Sequence, residues 1–259
     1  LKQNNEEVGV MRRKLVAGNW KMNGLRAQLP EIEAIAAAAA ANPSVDVALC
    51  VPFTLIHAAS GVAGALPIGA QDLHEADNGA HTGCISAPML VEAGATLAIV
   101  GHSERRGDQH ETSHDAYMKA AAAHRHGLRV ILCCGELEAE RAAGRAERIV
   151  QSQIEKSLPD DADPSWLTLA YEPRWAIGTG KTPTQDEIAS MHAIIRAKLR
   201  MMIGDEKAEG VRILYGGSVT GANAAAILAL DDVDGALVGG ASLTAAKFVP
   251  IIEGAASVS

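Results

Sequence analysis

The segment AYEPRWAIGTG, Ala170–Gly180, decides how this chain is read. The run just upstream and into it, residues 167–171 (LTLAY), is short and apolar, as a buried strand is. Glu172 stands at the end of that strand, followed by Pro173, Trp175 and a run of small residues holding Gly178 and Gly180. A carboxylate on a rigid strand end, with stiff shoulders and a permissive tip behind it, reads as an acid or base beside a loop that closes.

Working outward, the same alternation of short apolar run and longer helical pattern recurs. Strands are expected at residues 14–17, 45–51, 68–70, 97–100, 129–133, 167–171, 211–215 and 236–238. Helices are expected at 27–41, 57–65, 113–126, 137–144, 146–158, 185–203, 222–230 and 245–256, and another is opened by Ser86 as N-cap with Pro88 in its first turn. The alanine run 36–41 favours helix and reads as packing filler. Eight strand–helix units of roughly 31 residues match the repeat of a (β/α)8 barrel. Strands buried on both faces read as continuous apolar runs, as these do. A doubly wound open sheet would carry G-x-G-x-x-G after its first strand, whereas this strand runs into GNWKMN, Gly18–Asn23.

Composition agrees. The 259 residues are 48% hydrophobic but only 3% aromatic, so the core is built from Ala, Val, Leu and Ile. No linker divides residues 11–259, which are expected to form one α/β domain. Residues 1–10 are polar, lack the apolar stretch of a signal peptide, and read as an N-terminal extension, disordered or left from expression. A net charge of −8 argues against nucleic-acid or anionic-membrane partners. No apolar run is long enough to span a bilayer. Cys50, Cys84, Cys133 and Cys134 show neither disulfide nor zinc spacing, which fits a reducing cytoplasm. His110, His114 and Asp115 resemble a helical metal site but lie in a charged, exposed stretch, and no metal is expected there. Cys133 reads as a small packed hydrophobe.

Active groups in a barrel lie just past strand C-terminal ends. Those positions hold Asn19 and Lys21, His102 in VGHSERR, Glu172, Ser218 in YGGSV, and Gly239 and Gly240 in LVGGASL. Removing a proton beside a carbonyl needs a placed carboxylate, exclusion of water, and donors facing the oxygen where charge develops. Glycine pairs on the last two loops suit a phosphate cradle.

From residue 11 onward these motifs resemble the triosephosphate isomerase family. The resemblance implies a TIM barrel, a homodimer, and interconversion of D-glyceraldehyde 3-phosphate and dihydroxyacetone phosphate in glycolysis and gluconeogenesis, through an enediolate and without cofactor or metal. Glu172 would be the base, His102 the electrophile, and Lys21 and Asn19 substrate-site groups. Gly178, Ser218, Gly239 and Gly240 would hold the phosphate through backbone amides. Glu104 would support Lys21. The long loop Gln71–Ile85 resembles the family's interdigitating loop, with Thr82 near its tip.

Two positions depart from the family pattern. Arg174 stands where an aliphatic residue is usual, and Asp72 where Asn is usual; an ionised Asp72 is expected to find an Arg or Lys. Three other readings remain: an isomerase of a neighbouring sugar phosphate such as a tetrose phosphate, a silent binding barrel, and another phosphate-binding barrel enzyme.

Overall fold

The computed structural model describes residues 12–176 and 182–259. The N-terminal extension, residues 1–10, and Met11 lie outside them. Eight parallel strands close into a barrel in chain order: β1 Leu15–Asn19, β2 Asp46–Cys50, β3 Ile68–Ala70, β4 Leu97–Val100, β5 Arg129–Cys134, β6 Leu167–Tyr171, β7 Arg212–Tyr215 and β8 Gly235–Val238. Closure is made by β1 pairing with β8, Leu15 opposite Gly235 and Gly18 opposite Val238.

Helices alternate with the strands among the described residues. They are α1 Leu29–Ala41, α2 Phe53–Val62, α3 Ala87–Glu92, α4 Ser103–Asp108, α5 Ser113–Arg125, α6 Glu138–Ala142, α7 Ala146–Ser157, α8 Gln185–Ile203, α9 Asp205–Gly210, α10 Ala224–Leu228 and α11 Ala245–Ala256. Side chains alternate between two packed regions. Ala17, Ile99, Cys133 and Leu214 fill the barrel interior, while Val16, Val100, Cys134 and Ile213 join the larger layer between sheet and helices. The neighbouring cysteines therefore face opposite ways, as a two-residue period requires.

Three local expectations are corrected. Helix α2 begins at Phe53 rather than residue 57, because Pro52 caps it in an extended conformation and Leu55 and Ile56 are buried within its first turn. Helix α10 is shorter than residues 222–230, since Thr220 and Asn223 form a turn first, with the Thr220 amide donating to Asn223 Oδ1 at 2.7 Å. Ser86 occupies the N-cap of α3 and Pro88 its first turn, as expected, although the Ser86 hydroxyl makes no capping bond. Helix α9 was not expected; it starts after Gly204 at φ +80°, and four of its six residues are charged.

Candidate functional site

Asn19 is the last residue of β1 and is buried. Two residues on, Lys21 has φ +52°, a left-handed conformation unusual for a residue with a side chain. Such strain costs about 1–3 kcal/mol and persists only where the surroundings over-determine it. Here they do. Asn19 Oδ1 accepts from the Lys21 amide at 2.9 Å, and Gln71 Nε2 donates to the Lys21 carbonyl at 2.9 Å. Trp20, 1% exposed, is pinned by its indole N–H on the Ser242 carbonyl at 2.9 Å. This turn brings Lys21 Nζ to Glu104 Oε1 at 2.6 Å, the pairing expected from the sequence.

His102 follows β4 and is the N-cap of α4. Its Nδ1 accepts from the Glu104 amide at 3.3 Å, which places the ring proton on Nε2. Nε2 lies 2.9 Å from Glu172 Oε1. Glu172 also accepts from the Ser103 amide at 2.9 Å and the Ser103 hydroxyl at 3.2 Å. Burial alone pushes the Glu172 carboxyl up, but His102 and the Ser103 amide outweigh it and hold the group below its usual range. Burial likewise pushes His102 down, and the adjoining Glu172 charge reverses this, raising it. That lift belongs to the paired arrangement: if the carboxylate moves away, burial and the Glu104 amide both favour the neutral ring.

A carboxylate beneath the lid's shoulder ties these groups to the following loop. Glu136, fully buried, accepts from Trp175 Nε1 at 2.8 Å and Tyr171 Oη at 3.2 Å. Arg141 lies 3.4 Å from it and stacks over the Trp175 ring. Arg174 donates its amide to the Glu136 carbonyl at 3.2 Å, and its guanidinium lies against Gly107 at the end of α4. Cys133 faces Glu172 from the barrel interior, and burial raises its thiol well above the usual range. Sequence reading missed Ser103 and Glu136. Both lie just past strand ends, the very positions that nominated the other groups.

Asn19, Lys21, His102, Glu172, Ser218, Gly239 and Gly240 line one cavity of about 520 Å³, joined by Gly216, Gly217 and Lys247. Gly178 lies outside the described residues. Glu104 borders a smaller neighbouring pocket of about 170 Å³, together with Lys21, Met22, Phe53 and Asp72. Asp72 bonds the two cations its charge called for, Lys119 at 2.7 Å and Arg105 at 2.8 Å; burial nevertheless raises its pKa. Thr82 stands apart from the cavity, on an exposed stretch of its loop. Asp115 closes a capping box with Thr112 at the start of α5.

A closed (β/α)8 barrel with a carboxylate–imidazole pair, a lysine and two glycine-rich loops at one mouth defines a class: barrel enzymes acting on small anionic substrates. The family model for triosephosphate isomerase matches residues 14–255. The triosephosphate isomerase of Dinoroseobacter shibae is 54% identical over 93% of this chain and 98% of its own length. That of Xanthobacter flavus is 54% identical over 93% and 96%. The crystal structure of triosephosphate isomerase from Bartonella henselae superposes with a TM-score of 0.87 at 41% identity, covering 93% of this chain and 98% of that one. The chain belongs to the triosephosphate isomerase family, and its reaction is the interconversion of D-glyceraldehyde 3-phosphate and dihydroxyacetone phosphate.

Proposed function

We propose that Glu172 carries the proton in this isomerisation, with His102 and Lys21 stabilising the charge that develops on oxygen. The observation that carries the reading is the Glu172–His102 contact of 2.9 Å beneath a lid shoulder. Base and electrophile here satisfy each other, so substrate must separate them. Glu172 leaves Ser103 and takes the proton from the carbon beside the carbonyl. His102 Nε2–H then faces the substrate oxygen, and the negative charge of the enediolate falls where His102 and Lys21 donate. A neutral imidazole in this role is the established arrangement of the enzyme class. Glu172 returns the proton to the neighbouring carbon, completing the exchange of aldose and ketose. Asn19 holds the Lys21 turn, Glu104 holds the lysine amine, and backbone amides at Gly178, Ser218, Gly239 and Gly240 take the phosphate. No metal or organic cofactor enters this scheme.

Incubation with dihydroxyacetone phosphate in D2O tests it. The wild type is expected to place deuterium on the substrate carbon, and Glu172→Gln is not. Exchange at equal rates in both would remove Glu172 as the base.

The domain is read as residues 11–259, acting as a homodimer through the Gln71–Ile85 loop. Residues 77–84 are exposed around Thr82, and Met22 and Phe53, 97% and 38% exposed, border the 170 Å³ pocket beside Lys21. In this reading the tip of a second copy covers that pocket. Light scattering should give twice 26.9 kDa, and deletion of residues 78–82 should give monomers of low activity. A fully active monomeric wild type would refute the pairing. A cytoplasmic setting keeps the four unpaired cysteines reduced; among the described residues no helix is long and apolar enough to cross a membrane.

A further inference from the structure

A second cavity, of about 660 Å³, opens at the N-terminal ends of the strands, opposite the mouth described above. Ile131 and Cys133 of β5 and Leu214 of β7 point into the barrel. By the two-residue period, Arg129 and Arg212, the first residues of β5 and β7, face the same interior. So does Asp46, two residues before Ala48 on β2. Asp46 is already occupied on both oxygens, by Arg13 Nε at 2.8 Å and Arg212 Nη1 at 2.8 Å. Arg129 makes no side-chain hydrogen bond or ion pair among the described residues. Burial and the adjacent Arg212 charge both lower its pKa, and Asp46 only partly opposes them.

A guanidinium keeps its charge at any ordinary pH. A half-buried, unpaired one beside another cation is unfavourable until an anion meets it. The α1 side of this cavity is shallow in side chain, with Ala36, Ala39 and Ala40 and with Leu66 beyond α2, and its one carboxylate, Glu33, is exposed to solvent. Ala36 and Ala39 pack against the core, as filler does, and their short side chains leave this wall of the cavity low. We propose that this N-terminal mouth is a binding site for a small amphipathic oxyanion, its charged head on the Arg129 fork and its short apolar tail along the α1 alanines. The site is independent of the isomerase mouth. A planar carboxylate matches the fork by two parallel N–H···O bonds, and a phosphate head shares that chemistry.

Two probes separate the sources: hexanoate, which has head and tail, and inorganic phosphate, which has only the head. Methyl NMR on the full chain should show saturable shifts at Leu15, Leu97 and Ile131 with hexanoate. These should persist in Glu172→Gln, whose changed residue lies at the opposite mouth. Arg129→Gln should weaken hexanoate at least about tenfold, the loss of a charge-assisted hydrogen bond, and Arg129→Lys less. Because Arg129 has no partner to strand, both variants should fold and keep wild-type isomerase activity. Phosphate shifting the same methyls, with the same dependence on Arg129, would assign the site to phosphate-headed ligands as well; phosphate without such shifts would restrict it to tailed carboxylates. No saturable hexanoate shift in the wild type, or equal affinity in Arg129→Gln, would overturn the proposal.

Discussion

Gly135 follows β5 directly, and the distance from it to Glu172 makes a sharp prediction. A Cβ at this position would lie 1.8 Å from the Glu172 carbonyl oxygen and 2.7 Å from its carbonyl carbon. A carbon–oxygen contact is ordinarily about 3.3 Å, so the two segments must part by roughly 1.5 Å. Neither side gives cheaply. Gln153 clamps Gly135 at both its amide, 2.8 Å, and its carbonyl, 3.0 Å, while the Glu172 amide is bonded to the Cys134 carbonyl at 2.8 Å. The displacement therefore reaches the Glu172 carboxylate. Misplacing a reacting group by about 1 Å costs on the order of 100-fold in rate. Gly135→Ala should lose about that factor in kcat, with KM within about threefold, because Ser218, Gly239 and Gly240 lie on other strands' loops. Gly61→Ala is the control: apart from its own helix backbone, nothing lies within 4 Å of its added Cβ, and in a helix the change should stabilise by up to about 1 kcal/mol. Steady-state kinetics with circular dichroism decides the matter. A folded Gly135→Ala with kcat within about threefold of wild type would refute the reasoning, as would a loss explained wholly by unfolding.

Buried His192 has its pKa pushed down to about 4 by burial. The unfolded chain then binds the extra proton between about pH 6.5 and 4, so stability should fall as pH drops through that window. The cost is roughly 3 kcal/mol at its full extent. His192→Gln should narrow the urea-stability gap to wild type by about that amount between pH 7.5 and 4; a pH-independent gap would contradict this. Asp72→Asn removes a charge shared by Lys119 and Arg105. With Glu111 still beside both cations, the expected loss is about 1–2 kcal/mol in urea unfolding, and no loss would show the pairs to be idle. Arg174→Val should alter kcat and KM only modestly, since the Arg174 head rests on Gly107, away from the reacting groups; a hundredfold change in either would rule this out.

Much of this was legible in the chain because parallel barrel strands advertise themselves. Strands β3, β4 and β6 have the expected bounds, each a short, mostly apolar run. Strand ends then nominated Asn19, Lys21, His102 and Glu172, and the cavity collects all four. What the chain concealed was short-range or long-range in character. Helix α9 has no apolar periodicity, because Ala208 alone is buried in it. The start of α2 was hidden by FTLI, a run as apolar as a strand. The left-handed turn at Lys21 depends on Gln71, 50 residues away, and the role of Glu136 depends on Trp175, 39 residues away. No local pattern encodes such partners.

The central claim is that Glu172 is the base of a triose phosphate isomerisation. The most direct measurement is conversion of D-glyceraldehyde 3-phosphate to dihydroxyacetone phosphate by purified wild type beside Glu172→Gln. Rapid conversion by the wild type, reduced about 100-fold to 10,000-fold in a folded Glu172→Gln, is the predicted result. Equal rates in the two proteins, or no conversion by a folded wild type, would contradict it.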